Sequence, residues 1–386
     1  MLKIFMTGDN HFGKKYSRYP EIRERLIQSR YDSLNRCVRK AEEEGCELFA
    51  VTGDLFDSTT TVDKATVKTV AEILAAFDGT VVVLPGNHDY YTGEEKIWKW
   101  FEDVLSKVDN NVILLKEFRP YVISCGSDKV TVYPAFCQSK HSEENNLKWI
   151  RQADIERSGT INIGIAHGAI AGITPDMNQQ YFLMTEKELA SIPMDAWLIG
   201  HTHIPYPADL SETADSFGYR IFNAGTHEQT DLSNNTEGLG FILTIEKEGE
   251  ESKVGARKYV SGRIRYYDLK AEVNSHRGDT LEDVLDSLLK EQVQTEHGNA
   301  VLRVTASGTV SQGEYEVRKQ IAKEKLDDFL SYEFVDGDLR EEISADKIHS
   351  DFAETSFAAR FLDRLSEDPA ELQMAYQLLL DCRERE

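Results

Sequence analysis

The stretch "KIFMTGDNHFGKK", Lys3–Lys15, supports two folds at once. From Gly8 it spells G-x-x-x-x-G-K and then Lys15, one residue short of the phosphate-cradling loop of a nucleotide-binding protein. The same letters place Asp9 and His11 two apart, directly after an apolar strand-like run, where a metal site can begin. Three observations exclude the phosphate loop. Lys15 stands where a hydroxyl must reach Mg²⁺. Asp9 would put a carboxylate inside the cradle. No helix pattern starts at Lys14, because the chain runs on as "KKYSRYPEIRER" with Pro20 in the way. "LFAVTGD", Leu48–Asp54, resembles the acidic strand that accompanies such a loop, but its Asp54 is better used as a bridge between metals.

Outward from that stretch, the first 265 residues or so alternate short apolar strands with helical patterns. A helix pattern runs from about Leu26 to Glu44 and another covers Lys64–Phe77; "CELFAVTGD" and "TVVVLPGN" are β-rich runs ending in glycine loops. Further strands are expected at Val112–Leu115, Val130–Tyr133, Ile161–Ala166, Ala196–Ile199, Tyr219–Phe222 and Gly240–Ile245. This alternation predicts an α/β core whose strands end in functional loops. The later strands lack intervening helices, so part of the sheet is expected to be antiparallel.

A second region begins near Gly262, with a strand in "GRIRYYDLKAEV", a helix capped by Thr280, a strand in "AVLRVTASG" and a helix from about Gln312 to Leu330. The last 35 residues or so read as two amphipathic helices, the second opened by Asp368 as N-cap and Pro369 at the first helical position. Phe357, Phe361, Leu362 and Leu365, with Leu372, Ala375, Tyr376 and Leu379, are the candidates to face a partner or to pack on their own chain.

Composition sets bounds. At 386 residues, 40% hydrophobic and 29% charged, the chain is an ordinary globular protein of two to three domains. No run approaches the roughly 18–20 apolar residues of a membrane span, and no signal peptide is evident. Five scattered cysteines without a C-x-x-C pair imply reduced thiols and a cytoplasmic protein. The net charge of −23 argues against coating nucleic acid by charge alone. A basic cluster, Lys14, Lys15, Arg18, Arg23, Arg25 and Arg30, is either a local DNA-backbone contact, with Lys14, Lys15 and Arg18 as the nearest candidates, or a solvated face.

Five blocks carry the chemistry, four of them directly after strand-like runs: "GDNH" (Asp9, His11), "GDLFD" (Asp54, Asp57), "GNHD" (Asn87, His88, Asp89), "AHG" (His167) and "GHTH" (His201, His203). Each alone is weak; all five in this order are not chance. Carboxylate, amide oxygen and imidazole suit Mn, Fe or Zn. Two ions would outweigh the charges of Asp9 and Asp54, leaving a net positive site that suits a phosphodiester.

These blocks, as D-x-H, G-D-x-x-D, G-N-H-D, a lone His and G-H-x-H, resemble the calcineurin-like metallophosphoesterases. Within that superfamily the layout is similar to the nuclease subunits of SbcCD-type break-repair complexes, the bacterial counterparts of Mre-type nucleases. The resemblance implies a sandwich of two mixed sheets flanked by helices over residues 1–265, a small α+β capping domain that positions DNA over 266–350, and a helical partner-docking segment over 351–386. It implies that Asp9, His11, Asp54 and His203 hold one metal and that Asp54, Asn87, His167 and His201 hold the other, manganese being favoured over iron or zinc. His88 would touch the phosphate as the catalytic residue, with Asp57 and Asp89 behind the ligands. The implied activity is Mn-dependent hydrolysis of DNA, as 3′–5′ exonuclease and endonuclease, by a homodimer working with the SMC-like ATPase SbcC. The alternatives are a stand-alone phosphodiesterase or phosphatase for small nucleotides, and a non-catalytic scaffold, which should have lost ligands. "NAGTHEQTD", Asn223–Asp231, only loosely resembles the family's Gly-Ser loop; His227 within it is a near-site contact or, by preference, a plain loop residue.

Overall fold

A computed structural model of the chain describes residues 1–174, 179–366 and 368–384. It divides into two compact units, Met1–Arg265 and Tyr266–Glu386. The first opens with β1 (Leu2–Thr7), α1 (Arg23–Glu43), β2 (Leu48–Val51), α2 (Lys64–Ala75), β3 (Thr80–Val83), α3 (Lys96–Leu105) and β4 (Val112–Leu114). It continues with β5 (Tyr121–Cys125), β6 (Asp128–Ala135), α4 (Lys148–Gln152), β7 (Ile161–His167), α5 (Glu186–Ala190) and β8 (Ala196–Gly200), then β9 (Ser216–Phe217), β10 (Ile221–Phe222), β11 (Leu239–Glu248) and β12 (Glu251–Val260). These form a seven-stranded sheet in the order β4-β3-β2-β1-β11-β12-β9 and a five-stranded sheet in the order β10-β8-β7-β6-β5. β1 to β4 pair in parallel, whereas β11 runs antiparallel to both β1 and β12. The expected mixture of directions is present.

Strand alternation explains the layering. Leu2, Ile4, Met6, Leu48, Ala50 and Val82 point into one core with Val130, Val132, Ile163, Ile165 and Leu198 of the other sheet. Their neighbours Phe5, Phe49, Val51, Val81 and Val83 point the other way, onto Leu34, Val38, Val67, Val70 and Leu74 of α1 and α2 and onto Trp98 and Phe101 of α3. The outer face of the second sheet, Tyr133, Trp197 and Ile199, packs on Leu147, Ile150 and Leu189. Both faces of both sheets are thus covered, which is why the strands read as nearly continuous apolar runs. Helix starts follow local chemistry: Asp63 caps α2 by accepting from the Thr66 amide at 2.7 Å. The helix α3 carries a clear Ile97, Trp98, Phe101, Val104, Leu105 stripe that the sequence reading did not single out.

The second unit contains β13 (Arg265–Asn274), α6 (Leu281–Gln292), β14 (Ala300–Val310), α7 (Gln312–Leu326) and β15 (Ser331–Glu341), with a three-stranded sheet in the order β13-β14-β15. Thr280 caps α6 through the Asp283 amide, as expected. Its core joins Leu269, Ala271, Leu281, Leu285, Leu302, Val304 and Leu326. The strand β15 was missed. It lies at a sheet edge, only Leu339 of "SYEFVDGDLRE" is buried, and the polar run Asp336–Asp338 in its middle reads as a loop. α8 (Ala345–Asp351), α9 (Phe357–Arg364) and α10 (Pro369–Glu384) follow. Asp368 does cap α10, accepting from the Glu371 amide at 3.1 Å. Of the tail segment, residues 367, 385 and 386 lie outside the described residues. Leu362, Leu372 and Tyr376 do not face outward; they form a small core with Ile343, Ile348 and Ala359. Phe357 and Phe361 remain exposed, stacked at 5.7 Å, as do Met374 and Leu378.

Candidate metal centre

The carboxyl ends of β1, β2, β3, β7 and β8 each deliver one block: Asp9–His11, Asp54, Asn87–His88, His167 and His201–His203. Parallel strands present their following loops at one end, the usual place for a site in an open α/β sheet. Residues far apart in sequence meet there. His11 Nε2 lies 3.0 Å from His203 Nε2, and His167 Nε2 lies 3.3 Å from Asp54 Oδ2. His167 Nε2 and His201 Nδ1 stand 3.0 and 3.1 Å from Asn87 Oδ1. His203 Nε2 is 3.9 Å from Asp9 Oδ1.

Three candidate ligand groups result, Asp9–His11–His203, Asp54–His167–His201 and His11–Asp57–His88, each with its donor atoms within 4.8 Å of one another; the first two share no residue. The donor set fits a cation because of what the other ring atoms do. His167 Nδ1 is 2.9 Å from the Thr52 carbonyl, which can only accept, so Nδ1 carries the hydrogen. The Nε2 lone pair then faces two further acceptors, Asn87 Oδ1 and Asp54 Oδ2, an arrangement that needs a positive charge among them. In the metal-free protein a proton takes that place. Burial works against it, but Asp54 and then Asp9 raise the His167 imidazolium to about 9. Burial likewise raises Asp54, yet His167, His11 and His88 outweigh it and hold its carboxyl well below the usual range. Asp9 is pushed up to about 7 by burial, moderated by His167.

The backbone is strained where the ligands sit. Asp9 (φ 49°), His11 (45°), Asp54 (50°), His201 (106°) and His203 (54°) all occupy the left-handed region. Non-glycine residues there cost about 1–3 kcal/mol each and persist only where surrounding contacts over-determine them. Those contacts are visible. The Asp9 amide donates to Gly53 O at 3.0 Å and the His11 amide to Asp54 O at 2.9 Å. Both Asp9 carboxylate oxygens accept from the His201 amide, at 2.9 and 3.0 Å. A Cβ on Gly53, itself at φ +102°, would sit 2.1 Å from His167 Nδ1, so only glycine fits between the two ligand loops.

His88 is half-buried and, of the three groups, belongs only to the one with His11 and Asp57. Its amide donates to Asp54 Oδ1 at 2.8 Å, and its Nδ1 donates to the Asp57 carbonyl at 3.1 Å, leaving Nε2 on the opposite side of the ring. The ring stands edge-on to His11 with centroids 4.9 Å apart. The Asp57 carboxylate lies 3.3 Å from His11 Nδ1, behind a ligand. Asp89 is buried and accepts from the Phe56 and Gly86 amides at 2.9 and 2.6 Å, tying the second and third ligand loops together. Burial and then the Asp54 charge push it up to about 8.

Other expectations are revised. His227 lies in a loop, as expected, but is fully buried, its Nε2 3.0 Å from the Arg30 carbonyl and its ring 5.4 Å from Phe12, and it is in no ligand group. Lys15 and Arg18 are exposed, and Lys14 is half-buried, 3.8 Å from Asp231. Arg30 leaves the basic cluster altogether, because it is only 2% exposed. Thr52 was not anticipated: it contributes a backbone carbonyl, which leaves no mark on side-chain identity. The cysteines are free thiols, Cys382 alone being exposed. Among the described residues no helix is long and apolar enough to cross a membrane.

Residues 2–205 match the family model of calcineurin-like phosphoesterases, more than half of the chain. The protein belongs to that family and carries candidate ligands for the family's dinuclear metal centre. Solved structures similar to it include a putative 5′-nucleotidase from Staphylococcus aureus (12% identity, 67% of this chain and 54% of that chain, TM-score 0.40). Others are the calcineurin-like phosphoesterase YfkN from Bacillus subtilis (13%, 67% and 89%, 0.39) and the NAD nucleotidase NadN of Haemophilus influenzae (11%, 84% and 60%, 0.37). The chain spans little more than half the length of the staphylococcal protein.

Proposed function

We propose that this chain is the Mn-dependent DNA nuclease subunit of an SbcCD-like break- and hairpin-processing complex, with both 3′–5′ exonuclease and endonuclease activity. The observation that carries the reading is an open ligand cluster beside exposed basic residues. The His203 and Asp57 side chains are each 30% exposed. Lys15 and Arg18, in the loop that follows His11, are exposed too. An open mouth admits an extended phosphodiester, and lysine and arginine suit its backbone.

On this reading Asp9, His11, Asp54 and His203 hold one cation, and Asp54, Asn87, His167 and His201 the other. When bound, the two ions supply Lewis acidity at the phosphoryl oxygens and activate water. His88 donates Nδ1–H to Asp57 O, which leaves Nε2 to exchange a proton with the leaving oxygen or to stabilise charge on the phosphoryl group. Asp57 holds the proton of His11 on Nδ1 and so turns Nε2 toward the cation. The exposed pairs Phe357–Phe361 and Met374–Leu378 are apolar surface for docking on the coiled-coil base of an SMC-like ATPase, SbcC.

A second reading is favoured by charge. At −23 the chain repels long polyanions, whereas a small nucleotide diester or monoester carries little of that cost. The deciding experiment measures Mn-dependent cleavage of linear duplex and hairpin DNA beside hydrolysis of bis(p-nitrophenyl) phosphate and 5′-nucleotides, with and without a co-expressed SMC-like ATPase. Cleavage of DNA, stimulated by the ATPase, supports the nuclease. Turnover of small esters alone would replace it with the nucleotide phosphoesterase.

A further inference from the structure

Arg30, on α1, is one of the largest fully buried side chains in the protein and carries a permanent charge. A buried guanidinium must place its five N–H donors or bear an uncompensated desolvation cost. Here the donors are shared between two loops, Asn10–Tyr16 and Thr226–Glu228, with two of them on one oxygen. Nε donates to the Asn10 carbonyl at 2.8 Å, and Nη2 makes a second, short bond to the same oxygen. Nη1 reaches Tyr16 Oη at 3.1 Å and the Glu228 carbonyl at 3.4 Å, and Nη2 reaches Thr226 Oγ1 at 3.4 Å.

The clamped oxygen belongs to the residue between Asp9 and His11. The peptide joining Asn10 to His11 is gripped at both ends, its N–H by Asp54 O at 2.9 Å and its C=O by the guanidinium fork. Rotation of that peptide would turn the His11 ring away from His203, which it now faces at 3.0 Å. The residues on either side of Asn10 hold left-handed backbone, φ 49° and 45°, and Tyr16, which bonds the same guanidinium, does so at 46°. A loop with this much strain needs contacts that over-determine it.

We propose that Arg30 is a positioning residue for the metal centre: its forked grip on the Asn10 carbonyl fixes the peptide that aims Asp9 and His11 at the cation. The proposal rests on reading those two residues as metal ligands. It makes a prediction whose sign separates it from electrostatics. By Coulomb's law alone, removing a buried cation near the site should tighten binding of a divalent metal. Removing the clamp should weaken it.

The test uses the full chain. Mn²⁺ binding is measured by calorimetry and by electron paramagnetic resonance for the wild type, Arg30→Met, Arg30→Lys and Arg36→Met, with urea unfolding of each. Arg36 is the control, because it forks onto Ser261 O at 3.0 and 2.7 Å and, like Arg30, contacts Glu228, at 3.5 Å, but does not touch Asn10. Arg30→Met is expected to bind Mn²⁺ about 10- to 100-fold more weakly, the usual loss when a group supporting a ligand is removed. Arg30→Lys keeps the charge but not the fork, so it should fall between, with an altered Mn²⁺ spectrum. Arg36→Met should lose stability at unchanged Mn²⁺ affinity. Wild-type or tighter affinity in Arg30→Met, or full rescue by lysine, would overturn the clamp. So would an equal loss of affinity in Arg36→Met. If Arg30→Met does not fold, the lysine variant decides by the same criterion. A wild-type chain that binds no divalent metal would bring down the metal-centre reading itself, a different result from a wild type that binds and a variant that binds equally well.

Discussion

In the first unit, Asp9, His11, Asp54, His201 and His203 all hold left-handed backbone; in the second, the only described residues with positive φ are Gly278 and Gly308. The first unit buries Asp9, Asp54, Asn87, Asp89 and His167 at one end of its strands. The second buries an almost wholly apolar set around Leu281, Leu302 and Leu326. Among the described residues, the ligand groups all lie in the first unit. Strain and buried charge therefore collect where chemistry is to be done, and the second unit is free to follow propensity and packing alone. Damage to each should have a different signature: lost activity at intact stability in one, lost stability at intact metal content in the other.

The largest expected effect is at the site. His88→Ala should lower phosphoester cleavage about 10²- to 10⁴-fold, the usual contribution of a positioned acid–base group. Its metal content should stay near the wild-type level, because the Asp9–His11–His203 and Asp54–His167–His201 groups are complete without it; His88 belongs only to a third group, with His11 and Asp57. Metal analysis and single-turnover hydrolysis check this, and loss of both metals would break the contrast. Next comes Leu302→Ala in the second core. It should destabilise by about 2–5 kcal/mol, read from denaturant unfolding, with Mn²⁺ content unchanged. A drop in Mn²⁺ would show that the two units are not energetically separate.

The pH dependence sharpens the comparison, because it should come from the first unit. The His167 imidazolium is raised to about 9 in the metal-free fold, so its stabilising contribution is full below the unfolded value near 6.5 and lost as pH rises through 9. Asp9 near 7 and Asp89 near 8 act in the same direction, since the fold binds more protons than the unfolded chain. Metal-free protein should lose stability from about pH 6.5 to 9. Mn²⁺ affinity should climb over the same interval as the metal displaces those protons. Thermal melts with and without Mn²⁺ at each pH measure both, and a metal-free protein whose stability rises with pH would contradict the assignment. The smallest effect is Thr280→Ala. It removes one helix cap in the second unit and should cost about 1 kcal/mol with no change in hydrolysis.

Much of the fold was legible because burial on both faces leaves nearly unbroken apolar strands, and because each ligand block follows one of them. β15 was not legible, since its alternating Tyr332 and Phe334 are only partly buried at a sheet edge and Asp336, Gly337 and Asp338 interrupt the pattern. Arg30 was misplaced for a related reason: an arginine on a helix next to other basic residues looks solvated, and its burial depends on a carbonyl twenty residues away.

The letters by themselves determined which groups are available and in what order: hard oxygens and imidazoles after strand ends, a glycine before Asp54, a proline that stops a helix from starting at Lys14. These are local properties, set by side-chain chemistry and backbone sterics. Tertiary structure alone decided that His11 meets His203 across 192 residues, that the Thr52 carbonyl selects the tautomer of His167, and that Arg30 faces inward. Each of those depends on a backbone atom or a distant partner, and a hydrogen bond to a carbonyl is indifferent to the side chain that the carbonyl's residue carries.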